Sequence, residues 1–331
     1  MRTFKILGSG VYLPPLQVSS EELDKKHGLK KGTIVKRTGV SYRHFAQIET
    51  ASVMAVEALN QASIDANISL SDIDCLIAAS GTMERAIPCN AANILAELNL
   101  LEPITGFDVN ATCLSGLLAM DLASSLLLTK QYKCIAVVSS DLASPALNWE
   151  DIECAGLFGD GAAALILTSP SLESETNQTI LASQFKTYPV GLNLCQVRGG
   201  GSLNHPSKIN EDYTPYCYFE MQGKELYRTV VSVIGPFLDE LFAKTELTLA
   251  DIDWLIPHQA SGLAMKHLFK KLGIKPEKVI NLLHDRGNQI SVSLPSGLHE
   301  LRQSGKAKFG DKVLMLGTSA GLSIGGVILT L

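Results

Sequence analysis

The segment Leu70-Ser-Asp-Ile-Asp-Cys-Leu-Ile77 returns as Leu249-Ala-Asp-Ile-Asp-Trp-Leu-Ile256, 179 residues later in a chain of 331. A repeat at about half the chain length is what a duplicated fold leaves behind, because each copy must bury an equivalent strand behind an equivalent turn. A second, looser echo agrees with it. Phe158-Gly-Asp-Gly-Ala-Ala-Ala-Leu-Ile-Leu167 and Gly321-Leu-Ser-Ile-Gly-Gly-Val-Ile-Leu329 are both glycine-punctuated apolar runs. The chain thus divides into two related halves, residues 1–172 and 173–331.

Short apolar runs at 75–79, 135–139, 162–167, 254–256 and 313–316 read as buried strands. Longer helical patterns separate them, and that alternation indicates α/β layers. The stretch from Arg198 to Asp212, with three successive glycines and Pro206, has little periodicity and reads as a long loop early in the second half.

At 46% hydrophobic and 18% charged, the chain has the means to bury a large core. Its net charge of −5 gives no global attraction to nucleic acid or to an anionic membrane. The N-terminus lacks a signal-peptide pattern, and no stretch approaches the roughly 20 apolar residues of a membrane helix. A soluble, cytoplasmic protein is expected. The seven cysteines are scattered and never spaced C-x-x-C, which speaks against a disulfide framework and against a metal site.

One cysteine has notable surroundings. Asp108-Val-Asn-Ala-Thr-Cys113 reads as a chain leaving a strand, and an apolar helix over 114–128 follows. Cys113 at a helix N-terminus would meet unpaired N–H groups and the positive end of the helix dipole, which lower a thiol pKa and bind an oxyanion. An inert, buried cysteine is the plain alternative. His258, in Pro257-His258-Gln259-Ala260, and Asn288, in Arg286-Gly287-Asn288-Gln289, each stand where a coil enters a helix, at 261–272 and 291–303. Each alone suits a turn; together with Cys113 they supply a nucleophile and two groups able to stabilise an enolate.

Thr112-Cys113, Pro257-His258-Gln259-Ala260 and Gly287-Asn288, in that order and separation, resemble the active-site segments of the β-ketoacyl-acyl-carrier-protein (ACP) synthase III family of the thiolase superfamily. Gly8 to Pro14, Arg37-Thr-Gly-Val40, Phe158-Gly-Asp-Gly161, Gly200-Gly-Ser202 and Lys270-Lys-Leu-Gly273 support the resemblance, which covers nearly the whole chain. It implies a thiolase-like five-layered αβαβα fold from two duplicated halves, in a homodimer. It implies that Cys113 carries the acyl group, that His258 and Asn288 bind the malonyl thioester carbonyl, and that the backbone N–H groups of Cys113 and Gly321 form the oxyanion hole. Arg37, Ile87 and Phe158 would contact substrate, and Arg228, Lys266, Lys270 and Lys271 would dock an acidic carrier protein. No metal or redox cofactor is expected; acyl-CoA or acyl-ACP and malonyl-ACP are the substrates.

The chain departs from the family pattern at several points. Thr33 stands where an aromatic residue often stacks on coenzyme A, and a second stacking arginine, expected near Ile152, is missing. Loss of both removes roughly 1 kcal/mol or more of CoA affinity, which favours an acyl-ACP donor or a differently held CoA. Relatives that join two acyl chains head to head carry a glutamate where this chain has Ile87, with Glu84 three residues earlier. Gly317-Thr-Ser-Ala-Gly-Leu-Ser-Ile324 also differs from the glycine- and aromatic-rich version of fatty-acid initiation enzymes. A specialised-metabolism acyltransferase or a non-decarboxylative condensing enzyme of the same fold therefore competes, as does a non-catalytic partner subunit. A papain-like hydrolase fits less well because of the duplication, and Gly8-Ser-Gly10 lacks the third glycine of a dinucleotide site.

Overall fold

The two copies of the repeat fold alike. In each, a capping box closes a single 3-10 turn: Ser69 with Asp72 around Leu70–Asp72, and Thr248 with Asp251 around Leu249–Asp251. The next aspartate reaches across to a neighbouring strand. Asp74 accepts from the N–H groups of Lys133 and Cys134 at 2.8 and 3.1 Å, and Asp253 accepts from that of Lys312 at 2.9 Å. Strands Cys75–Ala78 and Trp254–Pro257 then pair in parallel with Cys134–Asp141 and Lys312–Ser319. These partners double back antiparallel onto Gly161–Thr168 and Ser323–Thr330, so the second echo is also a pair of equivalent strands.

The structure is a computed structural model describing residues 1–170 and 177–331; the expected boundary between halves, at 172 and 173, lies outside the described residues. Hydrogen bonding runs through nine strands, but they form two sheets joined by the first strand, Arg2–Tyr12. Residues 2–4 of that strand pair with 178–180, and residues 5–12 pair with Gly161–Thr168.

Both sheets are covered on both faces. Cys134–Asp141 is buried at every position, without the alternation of a half-exposed strand. Helices Ser115–Leu128 and Ser293–Gln303 lie between the sheets, where Leu117, Met120, Leu294 and Leu298 pack with Ile77 and Val137 of one sheet and with Ile256 and Met315 of the other. Helices Ala51–Ala66 and Asn90–Leu98 cover the outer face of the first sheet. Gly223–Phe242 and Gly262–Leu272 cover that of the second. The result is the expected αβαβα stack. Each central helix is entered through a 3-10 turn, Thr112–Leu114 or Ile290–Val292, and these turns place the candidate residues.

The 198–212 loop is bracketed by a small hairpin, Cys195–Val197 with Phe219–Met221. Arg198 stacks on Tyr216 at 4.5 Å and pairs with Glu220, and Tyr213 stacks on Tyr216, so the loop carries its own packing.

Candidate active site

Thr112 has a φ of +49°, a conformation unfavourable for a β-branched residue. The turn is fastened by Asn110, whose side chain accepts from the Thr112 N–H at 2.9 Å, and by Ser115, whose hydroxyl accepts from the Ala111 N–H at 2.9 Å. Cys113 follows, half-buried, in the wall of a cavity of about 250 Å³.

His258 and Asn288 line the same cavity, both 5% exposed. His258 extends its strand by one bond, its N–H donating to Leu316 O at 2.8 Å. A Cβ at Gly317 would come within 2.9 Å of the His258 Cβ, so the glycine makes room for the imidazole. Nδ1 is buried without a partner, and the residue lines the cavity. Burial lowers the His258 pKa to about 4, which keeps the ring neutral near pH 7. Asn288 is held through its backbone by Leu157 O and the Gly159 N–H. Its Oδ1 accepts from the Ile290 N–H at 2.9 Å. With the oxygen so occupied, the amide donors are left for the cavity.

Two expectations need correction. Burial pushes the Cys113 thiol up to about 12, and the Asp141 carboxylate adds to the rise; the N–H groups of Ala320 and Cys113 oppose it without prevailing. A dipole argument from sequence omits the desolvation that dominates here. The N–H that approaches the sulfur from the C-terminal segment belongs to Ala320, not Gly321. Ala320 lines the cavity, while Gly321, at φ +76°, turns the chain away. Alkylation of free Cys113 by iodoacetamide is therefore expected to rise about tenfold per pH unit between pH 7 and 9, following the thiolate fraction. Peptide mass spectrometry must read it at Cys113, since Cys89 and Cys217 are exposed. A plateau below pH 8 would show a depressed thiol pKa and overturn the burial argument.

The remaining candidates scatter. Phe158 lines the cavity and packs edge-to-face on Phe219 at 5.1 Å. Arg37 lies outside the cavity lining, half-exposed, 4.0 Å from Glu153. Ile87 is 88% exposed and lies away from its own chain's cavity. Glu84 is engaged elsewhere, accepting from the Ser52 N–H at 2.8 Å near the start of the Ala51–Ala66 helix. Lys266, Lys270 and Lys271 are exposed on one helix, Arg228 on another, and the two helices meet at Tyr227 and His267.

Sequence reasoning passed over Thr82, Leu147, Cys195, Phe219, Met221 and Ala320, which are among the residues that line the cavity. Cys195 and Met221 face each other across the small hairpin, but a three-residue strand leaves no readable period. Among the described residues no cluster of His, Cys, Asp and Glu could hold a metal ion, and no helix is long and apolar enough to cross a membrane.

Residues 107–189 match the family described as 3-oxoacyl-[acyl-carrier-protein] synthase III, and residues 242–331 match its C-terminal domain. The chain is 33% identical to a β-ketoacyl-[acyl-carrier-protein] synthase III of Rickettsia bellii, over 99% of both chains. The crystal structure of the Aquifex aeolicus 3-oxoacyl-[acyl-carrier-protein] synthase III superposes with a TM-score of 0.87 at 30% identity, covering 99% of this chain and 100% of that one. OleA of Xanthomonas campestris superposes with a TM-score of 0.86 at 22% identity, covering 100% of this chain and 98% of that one, a likeness of fold alone. Sequence identity along the full length, and a fold shared layer by layer, place this chain in the β-ketoacyl-ACP synthase III family of thiolase-fold acyltransferases.

Proposed function

We propose that the chain takes an acyl group from a carrier thioester onto Cys113 and condenses it with a malonyl thioester, giving a 3-oxoacyl thioester. The observation that carries this reading is the single apolar cavity shared by a nucleophile, a neutral histidine and an asparagine whose donors are free.

In the first step the Cys113 sulfur attacks the acyl carbonyl, the oxyanion forms beside the N–H groups of Cys113 and Ala320, and the carrier thiol leaves with the thiol proton. In the second, the malonyl carboxylate departs as carbon dioxide. The electron pair moves to the thioester oxygen, stabilised by donors from His258 and Asn288, and the enolate carbon attacks the acyl carbon. Cys113 is released and reprotonated. High thiol and low imidazole pKa values suit this sequence, because the resting site holds no net charge on either group.

A carrier protein fits the donor role better than free coenzyme A. Exposed Glu153 stands 4.0 Å from Arg37, and exposed Glu150 and Asp151 precede it in the chain, so this stretch would repel CoA phosphates, while the lysines after His258 offer an acidic carrier a basic face. Residues 1–172 then contribute the nucleophile and 173–331 the donors. Self-association is supported by strand Thr105–Asp108, which stands at the open edge of the sheet, and by Met83, Ile87 and Leu101, exposed apolar side chains in the same half of the chain.

The test is incubation with acyl-CoA and acyl-ACP thioesters of graded length, without extender, followed by mass spectrometry of the Cys113 peptide. Stable acylation, preferring ACP, is expected. No acylation from any donor would leave a non-catalytic subunit as the better reading.

A further inference from the structure

Asp141 takes no part in the chemistry above, yet it is fully buried at the end of the Cys134–Asp141 strand and five donors converge on it. Oδ1 accepts from the N–H groups of Gly81 and Thr82, at 2.8 and 2.7 Å, and from the Thr82 hydroxyl at 2.8 Å. Oδ2 accepts from the Ser291 N–H at 3.0 Å and from the Ser291 hydroxyl. Three of the five are backbone N–H groups, which can only donate and so favour the ionised carboxylate, while burial works the other way and raises its pKa.

The groups it joins come from opposite halves of the chain. Gly81 and Thr82 line the cavity, and Ser291 lies three residues beyond Asn288. A Cβ at Gly81 would stand 2.5 Å from Ile290 Cγ2 and 3.2 Å from the Thr112 carbonyl carbon. The loop is therefore pressed at once on the residue before Cys113 and on the turn after Asn288. Both neighbours, Thr112 at φ +49° and Ile290 at φ +51°, are β-branched residues in the left-handed region, a conformation that persists only where the surroundings enforce it.

We propose that Asp141 is a positioning residue, a clamp that binds the 81–82 loop to Ser291 and so fixes the spacing between Cys113 and Asn288 across the seam of the two halves. That the spacing serves condensation rests on the function proposed above; the clamp itself does not. Its charge has a second effect. Around the Cys113 sulfur stand Asp141, Cys195, the neutral His258 and the Ala320 N–H, with no cation among them, so the carboxylate disfavours the thiolate.

Asp141→Asn, made in the full chain, separates these effects, because an amide cannot accept on both sides and carries no charge. Condensation is expected to fall about 30-fold, the size of a lost hydrogen bond to a charged group. Acyl loading of Cys113 falls less than about fivefold, and iodoacetamide alkylation of Cys113 at pH 7 becomes faster by a factor of about three or more. Slower condensation with faster alkylation is a pairing that loosened packing alone does not predict. Ser291→Ala, which removes one hydroxyl outside the cavity lining, serves if the asparagine variant does not fold; it should slow condensation about fivefold with loading unchanged. Equal loss in both half-reactions, or alkylation unchanged in Asp141→Asn with condensation intact, would overturn the clamp. Wild-type protein that loads and alkylates but never condenses would overturn the proposed function instead, leaving the alkylation comparison to judge Asp141.

Discussion

The Cys113→Ala variant is expected to lose acyl transfer by roughly 10⁴-fold or more, with no acyl mass on any peptide. The neighbouring thiol makes this a demanding claim. Cys195 lines the same cavity and is also raised to about 12, so acidity does not separate the two sulfurs. Hydrogen bonding does. The Ala320 and Cys113 N–H groups act on the Cys113 sulfur, while burial alone governs Cys195. An oxyanion formed at Cys195 would lack donors, each typically worth about 3 kcal/mol to the transition state. The fold should tolerate the change, since one sulfur leaves a cavity wall and unfolding moves by about 1 kcal/mol. Acyl-peptide mapping and thermal unfolding check both parts. Turnover retained, or an acyl group found on Cys195, would refute the assignment of the nucleophile.

His258→Ala carries the second large effect. Removing a preorganised donor from the enolate oxygen slows decarboxylative condensation by about 10²- to 10³-fold, whereas acyl loading, which uses the backbone donors, survives. Single-turnover assays of the two half-reactions read the difference. Stability supplies an independent mark. The folded-state pKa of about 4 lies below the ordinary 6.5, so the unfolded chain binds the proton first as pH falls. The wild type is thus at full stability above pH 6.5 and loses roughly 3 kcal/mol of it on approaching pH 4. The alanine variant should lack this part of the acid sensitivity. Equal slowing of loading and condensation, with an unchanged acid profile, would assign His258 to packing alone.

The layers of the fold were legible because both copies of Ile-Asp-x-Leu-Ile spell a structural device. The aspartate caps the neighbouring strand's backbone, and the apolar residues fill the sheet behind it. The meeting of Cys113, His258 and Asn288 in one cavity was legible because each stands at a coil-to-helix junction with a distinctive neighbour. The thiol's acidity was not, since desolvation depends on everything packed around the sulfur. Ala320 was misread as Gly321 by one position, because a turn at φ +76° decides which N–H faces inward. Asp141 was invisible for a related reason. Its five donors lie at positions 81, 82 and 291, and no local pattern in the sequence announces such a convergence.

The two central helices suggest how sequences built on this plan can drift. Met54 packs in a cluster drawn from the first half and Phe237 in one drawn from the second, so a substitution at either is answered within its own half. Leu117 and Leu294 have no such privacy, because they share one interior with strands of both sheets. Change should accumulate independently in the outer layers and in concert in the middle one, so that the two halves, free to respell their own surfaces, stay answerable to each other along the seam where they meet.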